Sequence, residues 1–352
     1  MSPISPISPI SPISPRRGLW GLWVFLLLLA SCDSSNGSFR LKGTFKNMNQ
    51  AQFYIYDAER GWKDTINVRS GRMRYEVSLK DTTTLMLMFP NYSIIPIFAQ
   101  PGAKVEMEGD ASHLRETTVM GTEDNEDMTE FRLKANELTP PQIPQEARRF
   151  IIEHLSSPVS LYLLQRYFVY TTAPEYDEAY RLCQHIIDEG GGSGAAIRLS
   201  KQIAVMKNNA IGKQLPAFSA KDTNGKTVSN RQLKADVNVV CLWALWNRTS
   251  LSQLRTLRTL RKEHQERVSV VSICIDADQA DAKHFLERDS IDWPNVCDGE
   301  MWQTTVAQKL NLTTMPANVI TDKKGKIVAR NITSAQQLKE KIEELLKDQK
   351  DK

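Results

Sequence analysis

The sequence contains no Cys-x-x-Cys pair, although it has five cysteines among its 352 residues. No grouping of cysteine and histidine has the spacing of a zinc site either. These absences exclude the usual dithiol redox motif and a structural zinc module, and we expect neither a metal nor a cofactor. The cysteines stand far apart in the chain, at Cys32, Cys183, Cys241, Cys274 and Cys297.

The chain also lacks a strong excess of charge and a long apolar segment. Its 45 Lys and Arg against 41 Asp and Glu give a net charge of +4, which is not the basic excess of a nucleic-acid-binding protein. Its apolar run from Leu19 to Ala30 spans about 12 residues, whereas a membrane-spanning helix needs about 20. We therefore expect no nucleic-acid partner and no spanning helix in this run.

Residues 1–31 are typical of an export signal. Four Ser-Pro-Ile units and a final Ser-Pro fill Ser2–Pro15, and proline at every third position removes backbone donors and disfavours a helix. Arg16 and Arg17 then precede the short apolar run, which ends in small residues. Positive charge, a short apolar core and small residues in this order indicate a secretory signal peptide.

The end of that run, Leu29-Ala30-Ser31-Cys32, resembles the lipobox of bacterial lipoproteins. The resemblance implies that Cys32 is diacylated and becomes the first residue of the mature protein, and residues 32–37 would form the tether. The alternative is a soluble secreted protein that has a cysteine there. Acyl chains on Cys32 would hold the protein at a membrane, since each buried methylene contributes about 0.8 kcal/mol. We expect the cell envelope of a Gram-negative bacterium, with the outer membrane favoured over the inner and the globular part in the periplasm or at the cell surface.

The segment 38–125 has the pattern of short strands separated by turn residues such as Ser70-Gly71 and Pro101-Gly102. We predict a small antiparallel β-sandwich here. Leu41-Lys42-Gly43-Thr44, Pro101–Val105 and Gly121-Thr122 resemble a β-rich domain of unknown function that precedes thioredoxin-like domains in envelope lipoproteins. The expected strands are Phe39–Phe45, Gln52–Asp57, Thr65–Arg69, Met73–Leu79, Thr84–Phe89, Ile94–Ala99 and Lys104–Glu108.

In the segment 126–209 the apolar residues recur three and four positions apart, which indicates helices. Ser157-Pro158 is a suitable helix start, and Gly190-Gly191-Gly192 a helix end. We predict a helical linker between the sandwich and the last domain. Cys183 lies within it and is interpreted as an ordinary helix residue.

The segment 210–352 resembles the TlpA/ResA-like, AhpC/TSA-type branch of the thioredoxin superfamily. The resemblance implies an α/β thioredoxin-like fold with a mixed central sheet, so that the whole chain is an α+β multidomain protein. The matching segments occur in the order of that branch: Ile211–Phe218, the hairpin Lys221–Val228, the buried strand Val237–Trp246, the strand Val268–Asp276, the helix Ala280–Asp289, the cis-proline strand Thr314–Ile320, the hairpin Thr321–Val328 and the helix Ala335–Lys347.

The resemblance ends at the two redox positions. A thioredoxin-type enzyme needs a low-pKa thiolate at the start of a helix and a second thiol that releases the mixed disulfide. Asn247 and Ser250 occupy these positions, and neither side chain can perform that exchange. We assign no catalytic residue and expect both side chains to cap the helix, because Asn and Ser favour helix starts.

The other cysteines offer no obvious replacement. Cys241 and Cys274 lie in apolar strands and are expected to be core residues. Cys297 follows Trp293-Pro294 and is expected to be exposed in a loop. None of these thiols is predicted to lie at a helix N-terminus, so reactivity is not predicted for Cys183, Cys241, Cys274 or Cys297.

Binding is the function that the thiol-less turn can still perform. In thioredoxin-like folds the cis-proline loop, here Met315-Pro316, lies beside the active-site turn and offers backbone groups to an extended polypeptide. Trp246 would add apolar contact area and Arg248 a charged donor. We predict a non-catalytic polypeptide-binding or accessory lipoprotein. Two alternatives are a thiol-disulfide oxidoreductase that uses a non-standard cysteine, and a structural subunit of an envelope complex.

Overall fold

A computed structural model describes residues 37–171 and 173–348. The predicted signal peptide, the Ser-Pro-Ile repeat and the lipidated Cys32 lie outside these residues. Within the described ranges, every helix is too short or too polar to cross a membrane.

Eight strands make up the first part of the chain, and the seven predicted strands are all among them. Buried and exposed side chains alternate along these strands, as the period of a β-strand requires. In the first strand, for example, Phe39, Leu41 and Phe45 are buried between exposed or half-buried neighbours. The strands are Ser38–Lys46 (β1), Gln50–Asp57 (β2), Trp62–Arg69 (β3), Arg72–Ser78 (β4), Thr83–Met88 (β5), Ile94–Ala99 (β6), Lys104–Asp110 (β7) and Thr118–Met120 (β8).

These strands form one sheet, in the order β6-β5-β2-β3-β4-β1-β7-β8, and not the two facing sheets expected of a small sandwich. The pairing is mostly antiparallel, but β1 and β7 run parallel, with Leu41 opposite Val105. The inward side chains of this one sheet line a single apolar core. Alternation along a strand reveals which face is buried but not which strands pair, and the expectation of a small sandwich is corrected for this reason.

The helical segment is Glu123–Glu137 (α1), Gln142–Glu153 (α2), Pro158–Leu164 (α3), Tyr176–Asp188 (α4) and Gly194–Asn208 (α5), with a π-helical turn at Gln165–Val169. Ser157 caps α3, as its position before Pro158 predicts. The helices pack around a core of their own, to which the sheet contributes Phe98. Asn125 in α1 is buried and bonds to both the N–H and the C=O of Phe98, at 2.9 Å each, so that the sheet and the helices are firmly joined.

The last part of the chain begins with a short hairpin, Ser219–Lys221 (β9) and Thr227–Ser229 (β10). It continues through Val237–Trp243 (β11), Arg248–His264 (α6), Val268–Cys274 (β12), Gln279–Arg288 (α7), Asn295–Val296 (β13), Thr305–Lys309 (α8), Ala317–Asp322 (β14), Ile327–Arg330 (β15) and Ala335–Asp348 (α9).

A five-stranded sheet in the order β13-β12-β11-β14-β15 is the centre of this part. Strands β11, β12 and β13 are parallel, and β14 and β15 are antiparallel to their neighbours. Every residue of β11 is buried, because an apolar core lies on each face of the sheet. The mixed sheet with helices on both faces confirms the fold expected for this segment.

Candidate functional site

The site lies at one edge of the five-stranded sheet. Parallel strands end at the same edge, so the segments that follow β11, β12 and β13 meet there. Strand β14 runs the opposite way and therefore begins at this edge, with Ala317 opposite Leu242. The turn 244–250 follows β11 and the Met315-Pro316 peptide precedes β14, so both lie at the same end of two adjacent strands. The family resemblance implies this arrangement.

Asn247 caps helix α6. Its backbone is extended, with φ −109° and ψ 99°, and its side-chain oxygen accepts a hydrogen bond from the Ser250 N–H at 2.8 Å. The predicted capping role of Asn247 is confirmed. Such a cap stabilises a helix by about 1 kcal/mol, because it satisfies one of the amides that a helix start leaves unpaired.

Ser250 has a different role from the one expected. Its side chain is buried, and its hydroxyl lies 2.8 Å from the carbonyl of Asn247 and 3.3 Å from that of Ala244. The Ala244 N–H in turn reaches the hydroxyl oxygen at 3.3 Å. The Ser250 hydroxyl therefore bonds only to backbone groups of the turn in this structure, and its burial shields it from any external substrate.

Two side chains of the turn face solvent. Trp246 is 60% exposed, which is unusual for a side chain of this size. Arg248, the first residue of α6, is also exposed. The first turn of α6 contains no acidic residue, so the partial positive charge of the helix start and the guanidinium of Arg248 reinforce each other.

The Met315-Pro316 peptide bond is cis, as expected for the proline strand. Pro316 is buried, and Met315 is half-buried against the core that contains Leu242 and Ala317. The β11–β14 pairing ends at Leu242 and Ala317. Met315 therefore lies beyond the strand ladder, where its backbone can face an incoming chain.

All four cysteines in residues 37–171 and 173–348 are buried and unbonded to one another. Burial raises the pKa of Cys183 to about 11 and that of Cys241 to about 12, which makes both poor nucleophiles. The expectation of an exposed Cys297 is wrong: its side chain is 1% exposed. Cys297 directly follows β13, and two residues are too short a strand to show an alternating pattern in the sequence. Because β13 pairs with β12, Cys297 lies in the core.

The structure also brings Cys297 next to Cys274, a proximity that the sequence did not indicate. Both sulfurs lie near Asp276, whose carboxylate accepts a hydrogen bond from the Leu245 N–H at 2.7 Å. The 22 residues between the two cysteines contain a helix, so only the register of β12 and β13 reveals the pair.

Among the described residues, no three side chains of His, Cys, Asp or Glu converge in a way that could hold a metal ion.

Residues 211–330 of the chain match the AhpC/TSA family of proteins. This match and the mixed five-stranded sheet agree with the thioredoxin-like fold expected for the C-terminal domain. No curated protein matches the chain significantly.

Several solved structures are similar to part of this chain. One is the C-terminal domain of a protein assigned as a thiol-disulfide oxidoreductase in Bacteroides thetaiotaomicron, with 29% identity over 40% of this chain and 99% of that one, and a TM-score of 0.36. A thiol-disulfide oxidoreductase from Bacteroides fragilis has 26% identity over 38% and 99% of the two chains, with a TM-score of 0.34. A thiol:disulfide interchange protein from Chlorobium tepidum has 18% identity over 39% and 98%, with a TM-score of 0.34.

Proposed function

We propose that this protein is a membrane-anchored lipoprotein of the cell envelope whose thioredoxin-like domain binds extended polypeptide without exchanging disulfides at its turn. The binding surface consists of Trp246, Arg248, Met315 and Pro316, and we call it the turn surface. The observation that carries the proposal is a solvent-facing tryptophan beside a cis-proline strand, at a turn that has no thiol.

The polar groups of the turn support a non-catalytic role. The Asn247 side chain is engaged by the Ser250 amide, and the Ser250 hydroxyl by carbonyls of the turn itself. A serine hydroxyl is far less acidic than a thiol, and burial disfavours its ionised form further. These positions stabilise the start of α6 and are unsuited to attack a disulfide.

The geometry of the cis-proline strand supports polypeptide binding. Met315 lies beyond the β11–β14 ladder, so its backbone can pair with an extended chain in the manner of an added strand. An exposed Trp246 supplies the rigid apolar area that dominates many protein interfaces. Arg248 and the start of α6 favour a partner with a carboxylate, either an acidic side chain or a chain terminus.

The anchoring part of the proposal rests on the sequence before the described residues. The apolar run, the small residues and Cys32 fall in the register of a lipobox, and Asp33–Gly37 can serve as a polar tether. A lipid-held domain that captures extended chains near a membrane would suit an accessory role in the envelope.

The turn surface can be tested with reduced, carboxymethylated α-lactalbumin as a permanently unfolded probe without reactive thiols. We expect the full chain to bind it and Trp246→Ala to weaken the binding at least tenfold, since truncation of a central interface tryptophan costs about 2 kcal/mol or more. Isothermal titration calorimetry measures this difference.

The matched control is Tyr92→Ala, which removes an aromatic side chain that is 81% exposed in the turn between β5 and β6. It should bind like the unchanged chain. No binding by the unchanged chain, or equal losses in the two variants, would contradict binding at the turn surface.

A further inference from the structure

A pair of buried cysteines lies at the sheet edge where β12 and β13 end, on the far side of β11 from β14. Strands β12 and β13 pair in parallel, with Ser272 opposite Asn295 and Ile273 opposite Val296. A cysteine comes next in each segment: Cys274 is the last residue of β12, and Cys297 directly follows β13. Adjacent strands are about 4.8 Å apart, and a disulfide joins Cα atoms that are about 4.4–6.8 Å apart. The register therefore places the two cysteines at a distance that a disulfide can bridge.

Their side chains also point to the same face of the sheet. Both belong to the apolar core that contains Trp243 and Phe285. The Cys274 sulfur is 3.2 Å from the Asp276 carboxylate, and the Cys297 sulfur is 3.8 Å from the backbone carbonyl of the same residue. One residue is thus in contact with both sulfurs, which shows that they share one site.

The two thiols differ in their affinity for a proton. The neighbouring Cys274 thiol and the backbone N–H of Gly299 lower the pKa of Cys297. The hydrogen bond to Cys297, together with burial, raises the pKa of Cys274. Of the two thiols, Cys297 is therefore the one that loses its proton more readily, and the thiolate is the form that attacks a disulfide.

We propose that Cys274 and Cys297 form a reversible dithiol–disulfide site that reacts with external disulfides, independently of the turn surface. The Cys297 thiolate attacks one sulfur of the external disulfide, forms a mixed disulfide and releases the first external thiolate. Cys274 then gives up its proton, for which the Asp276 carboxylate is the acceptor within reach, and attacks the Cys297 sulfur. This step closes the Cys274–Cys297 disulfide and releases the second external thiolate, so that two protein thiols are oxidised while one external disulfide is reduced to two thiols.

Access to the site requires local opening of the fold around Cys297. Residues 298–303 are all exposed, whereas Cys297 itself is 1% exposed. An external disulfide can reach the sulfur only when the structure around this residue opens. We therefore expect the reaction in the folded chain to be slower than that of a free thiol in solution.

The test equilibrates the folded full chain with glutathione and glutathione disulfide over a range of ratios, followed by acid quenching, alkylation and peptide mass spectrometry. We expect a cross-linked peptide pair that contains Cys274 and Cys297, formed at oxidising ratios and lost again at reducing ratios. Circular dichroism before quenching verifies that the chain is folded. Absence of the cross-link in the folded chain, or its appearance only in unfolded chain, would overturn the proposal.

Single variants test the order of the two steps. Cys274→Ser removes the resolving thiol, so a mixed disulfide with glutathione should accumulate on Cys297. Cys297→Ser should leave Cys274 without an adduct, and the reverse pattern would contradict the assigned roles. Cys241→Ser is the matched control, a buried cysteine of the neighbouring strand β11, and it should still form the cross-link. The cross-link in the unchanged chain decides the main point even if a variant fails to fold.

Discussion

At the scale of single residues, Asn247 and Ser250 occupy the positions of the two redox cysteines in the thioredoxin-like proteins that the chain resembles, and each has its own structural role. Asn247 caps α6, and the Ser250 hydroxyl forms hydrogen bonds with backbone groups of the turn. The capping by Asn247 could be predicted because its cause is local: a short side-chain acceptor at a helix start. The bonding of Ser250 could not, because it depends on how the carbonyls of Ala244 and Asn247 are oriented by the turn.

Replacing Asn247 with Ala should loosen the start of α6. Loss of the cap costs about 1 kcal/mol, which corresponds to a roughly fivefold faster hydrogen exchange of the amides in the first helical turn. Exchange measured on peptides that cover residues 245–255 of the folded chain checks this. Thr249→Ala, an exposed neighbour in the same turn, should leave the exchange nearly unchanged. Equal effects of both variants would show that the Asn247 side chain does not cap the helix.

The burial of Cys297 could not be predicted from the residues around it in the sequence. A residue after Trp-Pro looks like part of a loop, and only the pairing of β13 with β12 explains its 1% exposure. For the same reason its proximity to Cys274 is absent from the sequence pattern. Contacts between segments that are distant in the chain arise from register, which no local pattern encodes.

At the scale of elements, the sequence predicts most strands because each has a one-dimensional signature. Alternation identifies β1 to β7, and a continuous apolar run identifies β11, which is buried on both faces. The segment around Pro316 carries the cis peptide that the family resemblance implies. Sheet order has no such signature, which is why one eight-stranded sheet replaces the expected sandwich.

The cis-proline strand is held to α6 by a buried amide network. Asn318, which is fully buried, donates to the Ile332 carbonyl at 2.8 Å and accepts from the Ile332 N–H at 3.1 Å. Gln253 of α6 donates to the same carbonyl at 2.8 Å and accepts from Asn318 at 3.2 Å. The network fixes the helix and the strand that carry the turn surface.

Asn318→Ala should therefore destabilise the C-terminal domain. Each buried polar group left without a partner costs about 1–3 kcal/mol, so the midpoint of urea unfolding should fall clearly. Tryptophan fluorescence is a suitable signal, because Trp243, Trp246, Trp293 and Trp302 all lie in this domain. Thr313→Ala, at an exposed position ahead of the cis-proline, should keep the original midpoint. An unchanged midpoint in Asn318→Ala would mean that the network does not stabilise the domain.

At the scale of the whole molecule, the parts are joined by specific polar contacts. Arg330 in β15 donates to the carbonyl of Asn209, just after α5, and the Asn209 amide donates to the Lys309 carbonyl at 3.0 Å. Asn125 joins the helices to the N-terminal sheet. The helical segment, expected as a linker, therefore has its own core and contacts both neighbours.

The proposed attachment to a membrane depends on Cys32. In bacteria that process lipoproteins, Cys32→Ser should move the protein from the membrane fraction to the soluble fraction, because two or more acyl chains are needed for stable anchoring. Immunoblotting of the separated fractions measures this. Cys183→Ser, which alters a buried helix residue, should stay with the membranes. Retention of Cys32→Ser in the membrane fraction would exclude lipidation of this cysteine as the anchor.

The most direct test of the central claim is insulin reduction, with dithiothreitol as the reductant. The claim is that the thioredoxin-like scaffold is intact while its turn has no redox chemistry. We expect the variant Cys297→Ser, which lacks the proposed reactive thiol outside the turn, to show no turnover above background. Adding Asn247→Cys and Ser250→Cys to this variant restores two thiols at the start of α6 and should make it reduce insulin. Turnover by Cys297→Ser alone would contradict the claim.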